Sequence, residues 1–148
     1  MSRAVEGWSA RQADEPQCVV QTRAGAAVLL DALARAVSWA GFRVRSVDGG
    51  FDAARGISGG YLLSEVVQLP LMTALARVEL QVRLATDVAP GDDARALVTC
   101  VAGAHELGAS KRVARALTQA STALERSGSA TLVTDWSAAW QRGTDQAV

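Results

Sequence analysis

Residues 77–87 constrain this chain more than any other stretch. Val78, Leu80, Val82 and Leu84 fall on one side while Arg77, Glu79, Gln81 and Arg83 fall on the other, which is the period-two pattern of a half-buried antiparallel strand. One side of such a strand must be covered and the other left to water. Pro90 and Gly91 then break the pattern, and residues 95–102 read as the returning strand, so a hairpin is expected at the centre of the sheet.

The rest of the chain supplies elements to cover that hairpin. Residues 22–41 are predicted as a helix, with Thr22 as N-cap, Gly41 as the left-handed terminator and Phe42 folding back on the last turn. Leu29, Leu33, Val37 and Ala40 form its apolar stripe, flanked by Leu30 and Ala36 and opposed by Asp31, Arg35 and Ser38. Trp39, at its end, is assigned to the edge of the core in preference to stacking on a ligand. A second helix is expected from Ser110, read as its cap, to Arg126, with Gly128 closing it and Val113, Leu117, Ala120 and Leu124 as its stripe. Residues 42–47 and 51–55 flank the turn Asp48-Gly49-Gly50 as another hairpin, and residues 17–22 form a short strand at a sheet edge.

Three stretches have weaker signals. Residues 1–16 lack any period and are expected as a flexible arm, with Trp8 partly folded back. Residues 61–76 fit neither period, and the β-branched Val66 and Val67 favour a strand ending near Pro70. Leu69, Leu71, Met72 and Leu75 crowd around that proline, either plugging the end of the core, the preferred reading, or forming an apolar lip for a partner. In residues 129–148, a C-terminal amphipathic segment beyond the 17–128 domain, Leu132, Val133, Trp136 and Trp140 have the spacing of a short helix. Trp136 and Trp140 either close the protein's own core, again the preferred reading, or serve as a hot spot for another subunit.

The length of 148 residues suits one domain with a sizeable core, and 49% apolar with 20% charged residues is a globular balance. Fifteen basic residues offset fifteen acidic ones, which argues against a nucleic-acid protein with a broad basic surface. Heavy Ala, Arg, Val and Gly use, with a single lysine, Lys111, and no asparagine, is associated with GC-rich bacterial genomes. Cys18 and Cys100 lack metal-ligand spacing and are expected as two reduced, buried thiols. The chain has no run of about 20 apolar residues and its start lacks the apolar centre of a signal peptide, so it reads as cytoplasmic.

Chemistry-bearing motifs are sparse. His105 and Glu106 are neighbours whose side chains diverge, and no nucleophile or second carboxylate is placed beside them by spacing. The glycines of residues 56–60 lack the Lys-Ser/Thr of a phosphate loop. No residue is therefore assigned to catalysis, to a cofactor or to a metal. The better candidate is the wet side of the sheet, where Arg43, Arg45, Arg77 and Arg83, with Glu79, are expected to share one face.

The sum is an α+β domain: an antiparallel sheet of about four to six strands with two long helices on one face. This order of elements resembles helix-grip folds, in which a curved sheet wraps a long C-terminal helix around an apolar cavity. The leading functional expectation is a non-enzymatic module that binds another protein or itself, through Leu69, Leu71, Met72 and Leu75 or through Trp136 and Trp140. Its rival is a carrier or cyclase for an apolar small molecule, as the helix-grip resemblance implies. A third expectation is capture of an anionic ligand or nucleic acid by Arg43, Arg45, Arg77 and Arg83.

Overall fold

Alternating strands with one apolar side have paired into a single antiparallel sheet. The structure, a computed structural model, describes residues 4–56, 77–86, 91–106 and 108–146. Within them lie β1 (Gln17–Thr22), β2 (Arg43–Val47), β3 (Gly50–Arg55), β4 (Val78–Leu84), β5 (Ala94–Ala102) and β6 (Thr131–Val133), in the order β2-β3-β4-β5-β1-β6. The predicted hairpin β4-β5 is central. Leu80 faces Cys100 and Val82 faces Val98 across it, all four at 1% exposure or less, and a bulge at Glu79 and Leu80 interrupts the ladder. The strand reading of residues 61–70 lies outside the described residues, as do Leu69, Leu71, Met72 and Leu75.

Two helices, α1 (Ala26–Trp39) and α2 (Ala109–Arg126), pack side by side on the buried face. Leu29, Leu33 and Val37 of α1 join Val113, Leu117 and Leu124 of α2 over Val20, Phe51, Leu80, Val82 and Val98. Both helices end as the glycines predict. Gly41 donates to the Ser38 carbonyl and Phe42 to that of Val37, and Gly128 and Ser129 repeat this at Glu125 and Leu124, with φ of 94° and 92° at the two glycines. These are the paired bonds that satisfy a helix's last carbonyls, and Phe42 seals one of them by packing into the core.

The helix starts differ from expectation. Helix α1 begins after Gly25, not at Thr22, which ends β1 and is fully buried, its Oγ1 accepting from the Ala24 amide at 3.3 Å and from the Thr131 hydroxyl. Helix α2 begins after Gly108, and Ser110 lies inside its first turn, donating to the Trp8 carbonyl at 2.7 Å. Each hydroxyl found a tertiary partner that local pattern cannot reveal.

The two ends of the chain meet over α2. The Trp8 ring is buried against Trp136 edge to face, with centroids 4.9 Å apart. Each indole N–H is satisfied, that of Trp8 by the Ala104 carbonyl and that of Trp136 by the Glu6 carbonyl, both at 2.9 Å. Where residues 1–16 read as a flexible arm, residues 4–16 lie on the body, with Trp8, Ala13 and Pro16 buried. Thr131 to Val133, expected within a helix, form β6 instead and so place β1, expected at a sheet edge, between β5 and β6; two of the three residues are β-branched and they pair with backbone groups of β1 that would otherwise lack partners. Among the described residues of that tail, only α3 (Ala139–Gln146) is helical.

Candidate functional site

Three of the four sequence-predicted arginines share a sheet face. The registers put Arg43, Arg45 and Arg83 on the outer sheet face: Arg45 lies opposite Asp52, and Asp52 opposite Gln81 on β4. That face is not a free cationic surface. Asp52 sits between two of the arginines and accepts from Arg83 Nη2 at 2.6 Å and from Arg45 Nη2 at 3.2 Å, while Arg77 pairs with Glu79. The Arg83 bond, with that of Arg45 adding to it and partial burial opposing it, holds the Asp52 carboxyl below its ordinary range. Asp52 was the residue the sequence reading overlooked, although its alternation with Phe51 and Ala53 marks it as outward-facing.

The tail tryptophans separate. Trp136 is 6% exposed and spent in the core with Trp8, whereas Trp140 is half exposed and donates to the Arg11 carbonyl at 3.3 Å. Cys18 and Cys100 are both buried and unpaired with each other, on neighbouring strands. Burial pushes both thiols up, Cys100 to about 12, where Cys100 also donates to the Ala102 carbonyl. Such thiols stay protonated and unreactive. His105 is exposed; Glu106 beside it is raised by partial burial, with the His105 charge opposing. Among the described residues no three His, Cys, Asp or Glu side chains gather as a metal site would need.

One surface remains, and it was not singled out from sequence. Trp39, assigned to the core edge, is 84% exposed. It follows the buried Val37 by two positions, roughly 200° around the helix, and so shares its side of α1 with Ala32, Arg35 and Ala36. Those residues border Gln119, Ala120 and Ala123 of α2, and together with Trp39 they line an apolar slot of about 280 Å³. The slot exists because alanines occupy the seam between the helices, keeping the seam shallow and leaving the indole proud of it. On the other side of the indole, Trp39, Ala40, Gly108, Lys111, Arg112, Arg115, Ala116 and Gln119 line a second depression of about 410 Å³. Trp39 borders both.

The charge around this groove is one-sided. Lys111, Arg112 and Arg115 come from the first two turns of α2, and Arg55, at the end of β3, passes the C-terminus of α1 with its Nε 3.1 Å from where a side chain on Gly41 would begin. Burial lowers the Arg112 pKa, and the charges of Arg55 and Arg115 lower it further. Among the described residues none of these four side chains has an ion pair or hydrogen bond. By contrast Arg35, at the slot's rim, is neutralised by Asp31 at 2.9 Å. Lys111 also sits in the first turn of a helix, where the free amides already present positive charge and a carboxylate would be the stabilising choice.

A third cleft, of about 590 Å³, runs between the N-terminal segment, the C-terminal half of α2 and residues 131–136, lined by Glu6, Glu125 and Asp135 among others. Its apolar lining comes from Ala4, Val5, Leu132, Val133 and Trp136, of which Trp136 is buried in the core and Leu132 is exposed. No protein-family model matches this chain, and no match is found among curated proteins or solved structures.

Proposed function

We propose that this protein is a non-enzymatic binding module that holds a segment of another protein in the outer groove between α1 and α2. The observation that carries the reading is Trp39: a tryptophan 84% exposed, flanked by an alanine-lined slot on one side and a cationic depression on the other. Covering an exposed indole removes enough apolar surface from water to contribute on the order of 2–3 kcal/mol. Rigid aromatic side chains beside pockets are the usual anchors of protein interfaces.

The carrier reading is less well supported. Leu29, Leu33, Val113 and Leu117, which would have to line a cavity between helices and sheet, are packed together at 1% exposure or less. The apolar slot itself, near 280 Å³, lies just under the roughly 300–1,000 Å³ usual for small-molecule sites and suits one protruding side chain.

The test is a random-peptide display selection on the wild-type protein, with counter-selection on Trp39→Ala. The expected result is a set of peptides retained by the wild type and lost on the variant. Peptides kept equally by both, or no enrichment at all, would contradict the reading. Sedimentation of the two proteins alone checks the remaining occupant, since a dimer that disappears in Trp39→Ala would place a second copy in the groove.

A further inference from the structure

The groove combines two demands that few ligands meet together. On one side of Trp39 lies an apolar slot made by Ala32, Ala36, Ala120 and Ala123, and on the other Lys111, Arg112 and Arg115, joined by Arg55, gather without an ion pair among the described residues. Cations assembled this way repel one another, and those in the first turns of α2 also oppose its dipole. We infer that the groove recognises an acidic segment of a partner protein, with carboxylates bound by Arg112, Arg115, Lys111 and Arg55 and one aliphatic or aromatic side chain seated in the slot beside Trp39. The inference rests on the groove being a protein-binding surface, and it names the chemistry of what is bound.

Geometry fixes the spacing of the two features. Arg112 and Ala120 are eight positions apart on α2, or about 12 Å at 1.5 Å per residue. An extended segment covers that distance in about four residues at 3.3 Å each, a helical one in about two turns. The ligand therefore carries its acidic residues about four positions from the apolar one if extended, or about eight if helical. Guanidinium groups suit this task, because they bind carboxylates in a two-pronged fashion and stack on an indole. A nucleic acid satisfies the cations but has no aliphatic side chain for the slot, and the chain's zero net charge offers no long basic track for a backbone.

The composition of the selected peptides and a charge reversal test this directly. Trp39-dependent peptides are expected to be rich in Asp and Glu, with an apolar residue at the stated spacing. Measured by fluorescence anisotropy, a selected peptide should bind the Arg112→Glu/Arg115→Glu variant at least about tenfold more weakly than wild type, and rising ionic strength should weaken the wild-type complex. Replacing the peptide's acids by lysine should restore binding to the reversed variant, a gain that a merely unfolded variant cannot give. Trp39-dependent peptides that are neutral or basic, or that bind the reversed variant as well as wild type, would overturn the acidic-segment inference while leaving the binding module standing. Absence of any Trp39-dependent peptide would remove both. Binding of phosphatidylserine vesicles or single-stranded DNA that displaces the selected peptide more strongly than the peptide displaces itself would also overturn it.

Discussion

Trp136 and Trp39 are the same residue put to opposite uses. Trp136 is 6% exposed, its ring edge-on to Trp8 and its N–H bonded to the Glu6 carbonyl. Trp39 is 84% exposed and its indole N–H has no hydrogen bond among the described residues. One closes the chain's two ends over α2, and the other stands on a helix face turned away from the core. The arginines divide in the same way. Arg45, Arg77 and Arg83 at the outer sheet face pair with Asp52 or Glu79, and Arg35 beside Trp39 pairs with Asp31, while Arg55, Arg112 and Arg115 have no ion pair among the described residues. A side chain already satisfied within the fold contributes stability, and one left unsatisfied by an otherwise well-packed fold is available to a partner.

The comparison breaks most visibly in stability. Trp136→Ala removes the ring that joins both termini, and denaturant unfolding should show a loss of about 3–5 kcal/mol, as for other buried aromatic truncations. Trp39→Ala should stay within about 0.5 kcal/mol of wild type. Equal losses in the two variants would mean that Trp39 is structural.

A smaller effect sharpens the contrast between the two arginine groups. Asp52 has a folded-state pKa below its unfolded value because Arg83 and Arg45 bond its ionised form. The stability it contributes is therefore fully present above the ordinary carboxylate range and is lost as pH falls through the lowered folded value. The pair is partly exposed, so Asp52→Asn should cost no more than about 1 kcal/mol near neutral pH, and the difference from wild type should vanish in acid. Unfolding curves collected from neutral pH down to below the carboxylate range check both the size and the direction.

These two regions also differ in how far they were legible from the sequence. The period-two runs placed β2, β3, β4 and β5 and put Arg43, Arg45 and Arg83 on one face, because side-chain direction along a strand is fixed by the pleat. Gly41 and Gly128 marked the helix ends, because a left-handed terminator needs glycine. What local pattern could not supply was partnership. Nothing in the sequence announces that Thr22 and Ser110 serve distant groups in place of capping, or that Thr131 to Val133 extend the sheet beside β1. Trp39 was partly legible, since its position two residues past Val37 turns it away from the stripe. The slot beside it depends on α1 and α2 lying next to each other, and so does its approach to Lys111, Arg112 and Arg115. That adjacency is a product of tertiary packing.

The most direct measurement follows the four indole N–H resonances in a ¹H–¹⁵N spectrum while a peptide selected on the wild type is added. Those of Trp8 and Trp136 are bonded inside the protein to the Ala104 and Glu6 carbonyls and should stay in place. The Trp39 resonance should move and saturate with the peptide, together with amides of α2 near Lys111, Arg112 and Arg115. Movement confined to Trp140, or to residues of the outer sheet face around Arg45, Asp52 and Arg83, with Trp39 unmoved, would contradict the assignment of the α1–α2 groove as the working surface.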